Sequence, residues 1–168
     1  SSAASDVYKR QEAEFGEEPV ENVNLLSCNI EKLDTLFSPD EKAARIYVNF
    51  CNPWQKAGDH KRRLTHTRQL NTYKKVLAPG GELWFKTDNT DLYLATQRYL
   101  AEAGFEILCK TDDLHSEDAP GNIQSEHEVM FTAEGIKTKA IIARWNGEPE
   151  TPERVSTEQA EKVENTAE

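Results

Sequence analysis

The chain has 168 residues, of which 37% are hydrophobic and 30% charged, and its formal net charge is −10. That length suffices for one domain with a buried core. No run of about 18 apolar residues is present, so no membrane partner is expected, and no basic segment followed by an apolar one suggests a signal peptide.

Residues 1–19 are polar and without pattern, and the chain opens on Ser-Ser-Ala-Ala-Ser with Met130 as its sole methionine. They are expected to be a disordered or non-native leader, and residues 20–146 the globular part. Residues 22–27 are a short strand candidate, followed by a helical stretch at 30–37. Residues 45–50, Arg-Ile-Tyr-Val-Asn-Phe, are β-branched and aromatic and predict a buried strand. After a loop containing Pro53, Leu64, Leu70, Tyr73 and Leu77 follow a spacing near the helical period over 64–77. Pro79-Gly80-Gly81 is expected to stop that helix. A strand at 82–87 and a helix at 91–103 follow, the helix closed by Gly104. Strands at 105–110 and 137–145 end the fold, the last around Ala140-Ile141-Ile142-Ala143. From Gly147 to Glu168 there are seven acidic and two basic residues, with few apolar ones to repay ordering, so residues 147–168 read as an acidic disordered tail.

Alternating strands and helices with short gaps predict an open α/β sheet with parallel crossovers. Ligands in such sheets lie beyond the carboxyl ends of the strands. That rule selects Cys28-Asn29, Cys51-Asn52 and Thr87-Asp88. No Gly-x-Gly pattern occurs, and Gly80-Gly81 lies between a helix and a strand, as a turn does. Either the domain takes no nucleotide-like cofactor, or a first strand-loop-helix unit has been lost ahead of Ser1. The thiols of Cys28, Cys51 and Cys109 are far apart and are expected to be reduced. His60, His66, His115 and His127 are not spaced as a metal cluster, so no metal is expected.

The segment Asn49-Phe50-Cys51-Asn52-Pro53-Trp54-Gln55-Lys56 runs off a strand into a loop. Pro53 restricts Asn52 to extended backbone. Two readings stand: an amide beside an indole gripping a purine by edge and face, or an Asx turn with a packing Trp. Seven basic residues and one acidic lie between Lys56 and Lys75 despite the negative total. Lys61, Arg62 and Arg63 are either a solvated face or the rim of a polyanion site.

These residues, with Lys61-Arg62-Arg63-Leu64-Thr65, with Pro79-Gly80-Gly81-Glu82-Leu83-Trp84-Phe85-Lys86-Thr87-Asp88 and with Ser125-Glu126-His127-Glu128, closely resemble bacterial tRNA guanine-N7 methyltransferases of the TrmB type. The resemblance runs in order from about Asn22 to Trp145. It implies a class I methyltransferase fold: an open, mostly parallel Rossmann-like sheet with an antiparallel last strand, its first βαβ unit missing here. It further implies S-adenosyl-L-methionine as cofactor, tRNA as partner, a variable-loop guanine as target and a cytoplasmic setting. By position, Asn29 would help hold the cofactor's adenine where the family usually has Asp. Asn52 falls on the catalytic and cofactor-contacting acid. Lys56 and Asp88 would contact the guanosine, Ser125 and Glu128 fit a Thr-x-x-Glu substrate motif, and Lys61, Arg62 and Arg63 match an RNA-contacting run, with Gly58 and Asp59 in place of a more basic pattern.

Guanine N7 carries a free lone pair and needs no general base, so Asn at 52 is expected to slow the chemistry without abolishing it. Loss of the first unit would impair cofactor binding. Two alternatives remain: an amino methyltransferase of the Asn-Pro-x-aromatic type, and a tRNA-binding fragment without catalysis.

Overall fold

The computed structural model describes residues 26–116 and 121–147. The expected leader, nearly all of the acidic tail and any unit ahead of Ser1 lie outside them. Of the first strand candidate only Leu26 and Ser27 are described, and neither belongs to a strand.

Four strands form one sheet: β1 (Ala43–Asn49), β2 (Leu77–Thr87), β3 (Glu106–Thr111) and β4 (Lys139–Trp145). Their order is β1-β2-β4-β3. β1 and β2 are parallel, while β4 runs antiparallel to both β2 and β3. Three strands therefore share one direction and the last opposes them, giving the mixed, mostly parallel sheet expected. The last strand enters between β2 and β3 instead of joining an edge. Its apolar run explains this, because Ile141 and Ala143 are buried and need neighbours on both sides.

Helices α1 (Thr67–Val76) and α2 (Thr90–Glu102) connect β1 to β2 and β2 to β3. Their apolar faces, Leu70, Tyr73, Leu92, Ala95, Tyr99 and Leu100, close over Val48, Leu83, Phe85, Ile141 and Ala143 in one core. Helix α2 matches its expected span because its ends are locally encoded. The Asn89 side chain caps it by accepting from Leu92 N–H at 2.8 Å. Gly104, at φ +76°, closes it with Phe105 N–H donating to Leu100 C=O and Gly104 N–H to Ala101 C=O.

Helix α1 is shorter than its periodicity predicts. Arg63 and Thr65 are buried in the turn before it, and the Thr65 hydroxyl meets that of Thr96 on α2 at 2.7 Å. The His66 side chain then caps the helix by accepting from Arg68 N–H. At the other end, α1 stops before the Pro-Gly-Gly sequence, since Leu77 already pairs with Ala43 of β1. Residues 78–81 bulge away from β1 before pairing with it resumes at Glu82, while Gly81 already pairs with Trp145 of β4. Gly81 is required there, because a Cβ would stand 2.8 Å from the Ala78 carbonyl oxygen.

The helical stretch expected at 30–37 is a 3-10 helix at Ile30–Thr35, and a second one spans Ala57–Arg62. A third α-helix, α3 (Glu126–Ala133), was not expected from periodicity. The sheet face away from α1 and α2 carries a polar aromatic ladder. The Arg45 guanidinium lies 4.3 Å from the Trp84 ring centre, and Glu82 accepts from Trp84 Nε1 and from Arg45 and Arg144.

Candidate functional site

The parallel register brings the ends of β1 and β2 side by side. Asn49 pairs with Lys86, and Phe50 N–H donates to the Lys86 carbonyl at 2.9 Å. The loop after β1 and the Thr87-Asp88 step after β2 thus share one edge of the sheet, where ligands of such folds gather.

The loop is strained. Phe50 and Trp54 have φ of +49° and +44°, and they are the two non-glycine residues with positive φ among those described. This region costs an L-residue about 1–2 kcal/mol. Asn52 Oδ1 accepts from Trp54 N–H at 3.0 Å, which is an Asx turn. The turn and the purine-facing amide are compatible, because Asn52 is exposed and its Nδ2 makes no hydrogen bond to any described residue. What Asn52 offers a ligand is therefore a donor. Next to it, the Arg62 guanidinium lies 3.8 Å from the centre of the Trp54 ring and covers one of its faces.

The three consecutive cations part company. Lys61 and Arg62 are exposed, Arg62 lying 3.7 Å from Asp59. Arg63 is 1% exposed. Its Nε donates to Pro53 C=O at 2.7 Å, and its Nη2 donates to Trp54 C=O at 3.5 Å and to Asp91 at 2.6 Å. Arg63 faces inward, so the RNA-contacting run read from the sequence presents two side chains outward and not three. Lys56 precedes the 3-10 helix at Ala57–Arg62, is exposed and makes no capping bond.

Asp88 is exposed past β2, and its carbonyl accepts from Lys139 Nζ. Ser125 and Glu128 form a capping box at the start of α3, each side chain bonding the other's backbone N–H. Glu128 is fully buried, with Lys86 Nζ at 2.6 Å and Asn122 Nδ2 at 3.0 Å on its two oxygens. Burial by itself would raise the Glu128 carboxyl pKa. The bonds from Lys86, Asn122 and Ser125 N–H outweigh it and hold the group below the usual carboxylate range. His115 Nε2 is 3.5 Å from the same carboxylate. On its other side α3 meets the strained loop, with Phe50 packed on His127 and Phe131 at ring distances of 5.7 and 5.5 Å.

Asn29 caps the first 3-10 helix, its Oδ1 accepting from Glu31 N–H, and is exposed. All three cysteines are free thiols. Burial pushes the Cys51 thiol up to about 11, so it is protonated at neutral pH and is no nucleophile beside Asn52. Among the described residues no group of three or more His, Cys, Asp or Glu is placed to hold a metal ion. None of their helices is long and apolar enough to cross a membrane.

Sequence reasoning did not find Lys86, Asn122 or Asp91. Two signals were available: a lysine flanked by Phe85 and Thr87 in an apolar strand, and the Ser-x-x-Glu spacing of a capping box ahead of Val129.

A family model described as "Putative methyltransferase" matches residues 3–141. A Clostridium botulinum (strain Alaska E43 / Type E3) protein named tRNA (guanine-N(7)-)-methyltransferase is 45% identical over 136 residues, covering 81% of this chain and 60% of its own length. A Clostridium novyi (strain NT) protein of the same name is 49% identical over 126 residues, with 74% and 58% covered. Among solved structures, a SAM-dependent methyltransferase from Archaeoglobus fulgidus aligns with a TM-score of 0.40 and 12% identity, over 84% of this chain and 81% of that one. The chain spans about 60% of the length of the curated relatives it matches. The match to the family model takes in the loop after β1, the Thr87-Asp88 edge and the start of α3 together, and on it and the consistent name of these relatives the chain belongs to the TrmB-type tRNA guanine-N7 methyltransferase family.

Proposed function

We propose that this chain carries the substrate side of an enzyme that moves a methyl group from S-adenosyl-L-methionine to N7 of a guanine in the variable loop of tRNA, in the cytoplasm. The observation that supports it most is the shared sheet edge, where an exposed amide donor, an indole and a cationic 3-10 helix stand beside an exposed carboxylate.

The described residues fit the cofactor at its adenosyl end. Asn29 and Asn52 both commit Oδ1 to a local turn and keep amide hydrogens for acceptor atoms of a purine or ribose. No backbone cradle for the methionine end occurs among the described residues. The bound cofactor supplies an electrophilic methyl group. With it in place the guanine N7 lone pair would take the methyl as the C–S bond is given up and the positive charge passes to the purine, so no residue of the chain would need to move a proton.

The chain's part is positioning. Guanine shows two acceptors, N7 and O6, on its Hoogsteen edge. Asn52 Nδ2 donates to O6, leaving N7 free to react. Asp88 accepts from the N–H groups on the opposite edge of the base, and Lys56 binds the nucleoside from the loop. Ser125 contacts the nucleoside from the start of α3, which Glu128 fixes. Lys61 and Arg62 neutralise phosphates and set the register of the RNA.

Chemical cleavage at 7-methylguanosine, after incubation of tRNA with the protein and cofactor, tests the reading. Cleavage at one variable-loop guanine is expected. A methyl group found on an exocyclic amine would support the amino methyltransferase reading instead. That reading needs the Asn52 side-chain carbonyl as an acceptor, and Trp54 N–H already takes one of its two lone pairs. Binding of tRNA without any transfer would leave a non-catalytic RNA-binding role.

A further inference from the structure

We propose that Arg63 is a positioning residue for the transfer, holding the Asn52 loop at its working distance from Asp88, and that it does not contact RNA. The proposal rests on the function proposed above.

Arg63 is the one buried member of the basic run, and its guanidinium fork is used in three directions. Two of its bonds go to successive carbonyls, Pro53 and Trp54, directly after Asn52. Among the described residues nothing else bonds those two carbonyls. The loop needs such a restraint, since Phe50 and Trp54 bracket it in left-handed backbone that bulky residues leave when released. The third bond goes to Asp91, in the first turn of α2. That helix is capped by Asn89, the residue after Asp88, so Arg63 ties together the two segments proposed to face the substrate. Asp91 is itself 72% exposed, so it neutralises the buried cation incompletely. A buried charge with such a partner is a poor device for stability alone. The planar fork is what the task needs, because a lysine ammonium cannot span two carbonyls and a carboxylate in fixed geometry.

Three variants decide it. Arg63→Lys keeps the charge and loses the fork, Arg63→Met keeps the bulk and loses the charge, and Asp91→Asn weakens the anchor at an exposed side chain and keeps the fold if the buried changes do not. Hydrogen exchange of the peptide over residues 50–56 should quicken about tenfold or more in each, while β4 amides stay protected. Single-turnover methylation of tRNA should fall by a similar factor in Arg63→Lys, with KM changed much less than kcat. The salt slope of tRNA binding should be unchanged in Arg63→Met, whereas Arg62→Ala lowers its magnitude by about 1. Unchanged loop exchange, a full rate in Arg63→Lys, or a slope lowered in Arg63→Met as in Arg62→Ala would each overturn the proposal. A parent protein that transfers nothing to N7 would sink the proposed function instead, and loop exchange alone would then decide whether Arg63 holds the loop.

Discussion

Asn52 and a carboxylate at the same position would make the same Asx turn, since either can accept from Trp54 N–H. They differ in the atom left over. Asn presents an N–H donor, whereas Asp would present an anionic oxygen to a purine that becomes cationic as the methyl arrives. Electrostatic stabilisation of that kind is the larger effect in a shielded site. Asn52→Asp loses the Nδ2 bond to O6, which substrate and transition state share, and gains an anion that acts only as the charge develops. It is therefore expected to raise the single-turnover rate roughly tenfold, equivalent to about 1.4 kcal/mol of barrier; equal rates in the two proteins would remove the idea. At this scale the Asn52-Pro53-Trp54 motif was legible in the sequence, because a turn residue followed by Pro and an aromatic is local chemistry. Arg63 was not. Three consecutive cations look alike in one dimension, and only the 3-10 turn of the segment sends Arg62 over Trp54 and Arg63 into the interior.

Helix α3 is held more by its polar start than by an apolar stripe. Glu128 is its one buried residue, and Val129 and Met130 are exposed. The Glu128–Lys86 pair, both members buried, is what docks α3 against β2 and seats Phe131 and His127 on Phe50. Removing one member leaves the other charged and uncompensated, so Glu128→Gln should cost about 3–5 kcal/mol in urea unfolding. The same pair predicts an acid limb. The Glu128 carboxyl lies below its ordinary value in the folded state. Its contribution is thus complete above the unfolded carboxyl pKa of about 4.3 and is lost as pH falls through the lower folded value. Stability of Glu128→Gln should accordingly fall less steeply than that of the parent below about pH 4, and parallel curves would contradict the assignment. The helix escaped periodicity because it is short and polar, though its Ser-x-x-Glu start was visible in the chain.

Over the whole molecule, a net charge of −10 coexists with an exposed cationic edge at Lys56, Lys61 and Arg62. Repulsion from the rest of the surface makes such an edge the place where a polyanion can approach, and it makes the approach sensitive to ionic strength. Lys61→Ala and Arg62→Ala should each reduce the magnitude of the log K against log salt slope for tRNA by about 1, and should weaken all tRNA species alike; a variant that changes which tRNA is preferred would show base contact instead. The sequence by itself determined the alternation of strands and helices over β1 to β4 and the closing of α2 at Gly104, and it offered the turn at Asn52 as one of two readings, because each depends on residues a few positions apart and on backbone rules that need no partner. Only the tertiary structure decided that β4 enters between β2 and β3, that Leu77 leaves its helix to pair with Ala43, that Arg63 turns inward to Asp91 and that Glu128 finds Lys86. In each of those cases a group could have bonded to water or to a near neighbour, and the choice followed from which distant segment the closing core placed beside it.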